Sequence, residues 1–164
     1  LIPDAKALYP DEYKIQVSEH ELALVLEGEH RPGHFTGMLT IVLKLLNLVQ
    51  PSKAYFGEKD YQQYLLIRQM SEALFLNTEI IACSTLRDAD GLALSSRNAR
   101  LSSEQRRQAA SFPKILRESL SPELVKQRLE SEGFKVDYVA DCWIRRLSAV
   151  WVGEVRLIDN VKVR

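Results

Sequence analysis

A chain of 164 residues with 46% hydrophobic content can bury one ordinary core, or one core plus a small appendage. Lys+Arg and Asp+Glu balance at 22 each, and the resulting zero formal charge argues against a general nucleic-acid or membrane-surface binder, although local patches survive a zero total. The longest mostly apolar run, Met38 to Val49, is interrupted by Thr40, Lys44 and Asn47 and is too short and too polar to span a bilayer.

The opening Leu1-Ile2-Pro3-Asp4-Ala5-Lys6 has no charged n-region and no apolar h-region, so no signal peptide is expected. It has no initiator Met either, and reads as cut from something longer. Residues 1–13 carry Pro3 and Pro10 and read as loop with one turn. Lys14 to Val17 alternates apolar and polar and predicts a short strand. Glu21 to Glu27 is open between strand and helix. Glu27-Gly28-Glu29-His30-Arg31-Pro32-Gly33-His34-Phe35 is dense in breakers and predicts a loop. From Phe35, the residues Met38, Leu39, Val42, Leu45, Leu46 and Val49 follow a 3.6 period, so a helix is expected that Pro51 stops.

Ala54-Tyr55-Phe56 then reads as a short strand that ends at Gly57 and leads into a helix over about Tyr61 to Phe75, with Leu66, Met70 and Leu74 on one stripe. A glycine at such a turn lets backbone approach a ligand, and a helix start points unpaired N–H groups at it. Lys59 adds positive charge, and Asp60, Gln62 and Gln63 add orienting groups. In a doubly wound sheet this is the ligand position, outside the carboxyl end of a strand. The plainer alternative is a capping box made by Asp60 and Gln63. Asn77 ends the helix and Thr78 to Ala82 predicts a second strand, so two strand–helix alternations indicate a parallel sheet.

Arg87 to Asn98 is a polar, glycine-bearing connection expected to be mobile. Ser102 with Gln105 resembles a capping box opening a helix to about Ser119, with Pro113 a kink or break. Ser121-Pro122-Glu123 supplies an N-cap, a proline at the first helical position and an acid in the first turn, and Gly133 closes that helix. Lys135 to Ile144 and Ala149 to Ile158 predict two antiparallel strands, making the tail a separate α+β unit. Cys83 and Cys142 lie in apolar surroundings without metal-like spacing, and read as reduced core residues of a cytosolic protein.

The chemistry-bearing groups are few. No GxxxxGK[ST] and no GxGxxG is present. Lys59 and Ser95-Ser96-Arg97 remain as candidate phosphate contacts, because a forked guanidinium flanked by hydroxyls can hold a polyphosphate; a solvated loop is the simpler alternative. His30 and His34 are spaced like a helical zinc pair, but Pro32 and Gly33 interrupt any helix between them and no third ligand is evident. His34 beside Arg31 suits an anionic substrate better, and His20, flanked by Glu19 and Glu21, reads as a surface residue. Neither cysteine lies near a histidine and no GxSxG elbow exists, so covalent catalysis has no visible support.

Four segments resemble the pantothenate synthetase family, in order over nearly the whole chain. These are Leu26-Glu27-Gly28-x-x-Arg31-Pro32-Gly33-His34-Phe35, Phe56-Gly57-Glu58-Lys59-Asp60-Tyr61-Gln62-Gln63, Asp90-Gly91-Leu92-Ala93-Leu94-Ser95-Ser96-Arg97-Asn98 and Leu157-Ile158-Asp159-Asn160. The resemblance implies an α/β, Rossmann-like nucleotidylyltransferase fold, here the second half of its parallel sheet over 1–85, with a small α+β C-terminal lid domain carrying the phosphate loop over 86–164. It implies ATP-dependent condensation of pantoate with β-alanine through pantoyl adenylate, releasing AMP and pyrophosphate. Gly57, Lys59 and Asp60 would line the ATP site, Asp60 toward the ribose and Lys59 toward phosphate. Leu86 and Leu94 would flank adenine by backbone contacts, and Ser95, Ser96 and Arg97 would close over the β- and γ-phosphates. Gln63 would bind pantoate, with Arg31 and His34 nearby. Mg²⁺ is expected with ATP, its ligands lying upstream; a cytoplasmic homodimer with no nucleic acid or membrane partner is expected as well.

The family's N-terminal half, with its HxGH-type motif, first pantoate glutamine and first strand, has no counterpart in this sequence. The C-terminal unit is shorter than the family's around Leu120-Ser121 and Val139–Asp141. Thr36 stands where arginine is frequent, and Cys83-Ser84 where valine–proline is common. Two alternatives to the ligase are a non-catalytic assembly or lid module, and a sister nucleotidylyltransferase using another acid.

Overall fold

The computed structural model describes residues 4–163, so the reading of Pro3 lies outside the described residues. The described chain falls into two compact units divided between Cys83 and Ser84.

The first unit holds helices α1 (Ala5–Leu8), α2 (Glu27–His30), α3 (His34–Val49) and α4 (Tyr61–Ala73), and strands β1 (Lys53–Gly57) and β2 (Glu79–Cys83). The strands pair in parallel, from Lys53 opposite Glu79 to Gly57 opposite Cys83. α3 and α4 bury Phe35, Met38, Leu39, Leu46, Leu66, Ile67 and Met70 against Ala54, Phe56 and Ile80 of the sheet. The other face of β1 is open: Tyr55 is 64% exposed, unusual for a parallel sheet, which is normally covered on both sides.

Four expectations for this unit change. The Lys14–Val17 segment is no strand, because the Val17 N–H donates to Thr40 Oγ1 on α3 at 2.9 Å instead of to a neighbouring strand, and Ile15 is exposed. The breaker-rich segment after Leu26 makes one helical turn, α2, before Gly33 takes a left-handed φ of 78° at the start of α3. α4 stops at Ala73, ahead of Asn77: Phe75 adopts φ 54°, its N–H donates to Glu72 C=O and that of Leu76 to Ser71 C=O, a Schellman closure. Leu74 is therefore exposed, and the buried stripe is Leu66, Ile67 and Met70.

In the second unit, α5 (Ser103–Ala109), α6 (Phe112–Leu116) and α7 (Pro122–Ser131) pack on an antiparallel sheet of β3 (Lys135–Cys142), β4 (Arg145–Val152) and β5 (Val155–Lys162), in the order β3-β4-β5. The capping box forms, with Ser102 Oγ accepting from Gln105 N–H and Gln105 Oε1 from Ser102 N–H. The break expected near Pro113 forms between Ala109 and Phe112, the helical run ends at Leu116 ahead of Ser119, and Pro113 lies in the first turn of α6, where its missing N–H is no loss. Ser121 caps α7, and Gly133 at φ 82° closes it while Phe134 N–H reaches back to Leu129 C=O.

Three strands stand where two were expected. Trp143 and Ile144 form the tight turn between β3 and β4, and the expected Ala149–Ile158 strand spans the Gly153–Glu154 turn joining β4 to β5. β4 is central and buried along most of its length, so its near-continuous burial hides the alternation that would mark its ends. The core comprises Leu92, Phe112, Leu116, Val125, Leu129, Phe134, Val150, Val152 and Leu157 with their neighbours. Neither cysteine belongs to a core: Cys83 is exposed at the end of β2, and Cys142 is half-buried at the end of β3.

Candidate functional site

Gly57 and Cys83 mark the carboxyl ends of the two parallel strands. Glu58–Asp60 follows as a 3₁₀ turn leading directly into α4. Gly57 has φ −70° and ψ 130°, which any residue can adopt, and no atom lies within 4 Å of where a Cβ would stand. The fold thus gives no reason for glycine here. The Lys59 side chain is largely sheltered, at 18% exposure, with its ammonium 4.0 Å from the Asp60 carboxylate, the loose limit of an ion pair. Asp60 stands at the N-cap of α4 without making a side-chain capping bond, so the capping box with Gln63 does not form. Its carboxylate is half exposed and Gln63 is half-buried beside it.

Gln62, one residue earlier than Gln63, is 2% exposed and has a structural task. Its Nε2 donates to Leu22 C=O at 2.7 Å and Val25 C=O at 2.8 Å, while its Oε1 accepts from Glu27 N–H at 3.2 Å. This fastens the segment carrying Glu27 to the first turn of α4. Glu27 in turn lies 3.7 Å from Arg31. Arg31 is thereby linked to the start of α4 through Glu27 and Gln62. His34 opens α3 with its ring 5.1 Å from that of Phe35. Sequence reasoning grouped Gln62 with the ligand-orienting residues; its position three and four residues before Leu65 and Leu66 placed it on the buried face, a signal that was available.

The second constellation lies wholly within the other unit. Arg87 to Asn98 has a defined path: Leu94 N–H donates to Leu86 C=O and Asp88 N–H to Leu92 C=O, both at 2.9 Å, while Leu92 and Ala93 are buried. Leu86 and Leu94 remain 72% and 47% exposed. Ser95 caps the 3₁₀ turn Ser96–Arg100, its Oγ accepting from Arg97 N–H at 3.2 Å. Ser96 is exposed, and Ser95 and Arg97 are half-buried. Asn98 Nδ2 closes the turn onto Ala93 C=O at 3.0 Å. Three polar side chains are thus presented in succession at one tight turn.

Two cavities lie elsewhere. A cleft of about 500 Å³ lined by Leu46, Pro51, Phe75 and Thr78 is at the amino ends of β1 and β2, and one of about 520 Å³ is lined by Arg117, Asp141, Arg146 and Lys162. Neither includes a candidate residue. Among the described residues no group of three His, Cys, Asp or Glu side chains could hold a metal ion. No helix among the described residues is long and apolar enough to cross a membrane.

The chain is 50% identical to the pantothenate synthetase of Legionella pneumophila (strain Corby) over 160 residues, covering 98% of this chain and 64% of that protein. A pantoate-beta-alanine ligase from Francisella tularensis, complexed with beta-gamma ATP and beta-alanine, superposes with a TM-score of 0.89 at 43% identity, covering 96% of this chain and 61% of that one. The pantothenate synthetase of Thermus thermophilus gives 0.86 at 36% identity, over 98% and 67% respectively. The family model described as pantoate-beta-alanine ligase matches residues 1–162, and the chain belongs to that family.

Proposed function

We propose that the protein, at its natural full length, condenses pantoate with β-alanine to give pantothenate, with consumption of ATP. A pantoate carboxylate oxygen attacks the α-phosphorus, the bond to the bridging oxygen breaks, and pyrophosphate leaves. The β-alanine amine then attacks the acyl carbon of pantoyl adenylate, AMP leaves, and the amine loses a proton. Alignment and charge neutralisation suffice for both steps, so no side-chain nucleophile is needed.

In this reading each turn has its own part in binding ATP. Lys59 neutralises charge that grows on the departing pyrophosphate, and Ser95, Ser96 and Arg97 hold its β- and γ-phosphates. Gly57 lets the nucleotide approach the end of β1, Asp60 holds the ribose, and Leu86 and Leu94 flank adenine with backbone groups. Gln63 binds pantoate, with Arg31 and His34 nearby. The parallel pair β1–β2 is then part of a Rossmann-like sheet, and the second unit is the lid. Mg²⁺ would accompany the ATP phosphates, and no step is assigned to it. A cytoplasmic homodimer completes the proposal.

What supports this reading most directly is a sheltered Lys59 two residues after Gly57, at the strand end where open α/β sheets bind ligands. The two alternatives, a non-catalytic module and a sister enzyme, are not favoured, since the relatives are named for one ligase activity. Pyrophosphate release by the full-length protein, with pantoate against other hydroxy acids, tests the proposal. Release that depends on ATP and pantoate is expected; none with pantoate would end the substrate assignment. Lys59→Ala should lower kcat about 10²-fold or more with the fold intact, because a contact that strengthens toward the transition state is lost.

A further inference from the structure

The Asp159 side chain is fully buried, yet its sequence neighbourhood carries no part of the reaction described above. Both its oxygens are taken by the Arg87 guanidinium in a forked pair, at 2.6 and 2.8 Å. The same guanidinium donates to Gly91 C=O at 3.0 Å and to Asn160 C=O at 3.3 Å. Asp159 Oδ1 also accepts from Asn160 N–H at 2.7 Å. One side chain thus joins β5 to the tip of the connection that ends in Ser95–Arg97. A second arginine reinforces it, with Arg106 Nη2 from α5 2.6 Å from Asp88 and 3.2 Å from Asp90.

A buried ion pair is a weak source of net stability, because desolvation offsets much of the attraction, but its forked geometry specifies one register. Asp159 is itself held by the pairing of β5 with Ser148 of β4. The path of the connection is therefore referred to the rigid sheet rather than to its own flexible backbone. We propose that Arg87, clamped to Asp159, is a positioning residue that sets Ser95, Ser96 and Arg97 for the nucleotide phosphates. This rests on the assignment of that turn to phosphate binding.

The test uses the full-length protein with Arg87→Lys, which keeps the charge but loses the fork, and Asp159→Asn, which keeps the shape. Amide hydrogen exchange over residues 88–98 without nucleotide should speed up about tenfold or more, with β4 unchanged. The kcat/KM for ATP should fall about tenfold or more, and the KM for β-alanine should stay within about twofold. Unchanged exchange in 88–98 would overturn the clamp, and faster exchange with wild-type kinetics would overturn its positioning role. If Asp159→Asn does not fold, Arg87→Lys alone decides, since the buried carboxylate keeps a counter-charge. Ser96→Ala and Arg97→Ala serve as the separate control. Wild-type pyrophosphate release from both would sink the phosphate assignment of the turn, whereas the exchange measurement would still report on the clamp.

Discussion

Gln62 commits its amide to Leu22, Val25 and Glu27, whereas Gln63 stands half-buried beside Asp60 at the strand end. Replacing Gln62 by Leu leaves two carbonyls and one N–H without their partner. It should cost about 2–4 kcal/mol of stability by urea denaturation. Gln63→Ala should change stability by less than about 0.5 kcal/mol and instead raise the KM for pantoate. The two cysteines separate in the same way. Burial, with help from the Asp141 carboxylate, pushes the Cys142 thiol up to about 11, so it stays protonated near neutral pH. Cys83 is exposed. Iodoacetamide labelling followed by peptide mapping should modify Cys83 well before Cys142.

At the level of elements, two helix ends carry checkable energies. Glu123, in the first turn of α7, is held below the ordinary carboxylate value of 4.5, chiefly by its own backbone N–H and then by Ser121. A depressed folded value means that the contact stabilises above about pH 4.5 and is lost as the pH falls through the folded value. The stability difference between wild type and Glu123→Gln should therefore be constant near neutrality and shrink in acid. At the other end of a helix, Phe75 occupies a left-handed position that glycine prefers, with 91% of its surface exposed. Phe75→Gly should relieve that strain and raise stability by about 1 kcal/mol in thermal unfolding.

Across the whole molecule, each unit has its own core. Every residue of the larger cluster, from Leu92 to Val161, lies in the second unit. The first unit buries its helices against only one face of a two-stranded parallel sheet. Residues 84–164 expressed alone should therefore unfold cooperatively, with urea transitions by circular dichroism and tryptophan fluorescence that coincide. A broad or absent transition would show that its core needs more than its own chain.

Local chemistry was legible without coordinates wherever a few neighbouring residues settle it. The period of Phe35 to Val49, the Ser102–Gln105 capping box, the Ser121-Pro122 helix start and the Gly57–Lys59 turn are of this kind, because sterics and short hydrogen bonds act over a few residues. Resemblance of whole motifs carried the family in the same way. The tertiary structure decided what depends on burial and on distant partners. It turned two expected strands into three, because the central strand lies buried between two others and loses its alternation. It moved both cysteines out of the core, and divided two adjacent glutamines between scaffold and strand end. It brought Arg87 onto Asp159 across 72 residues of chain, a pairing that no local pattern encodes because a buried charge finds its partner only after the sheet has formed.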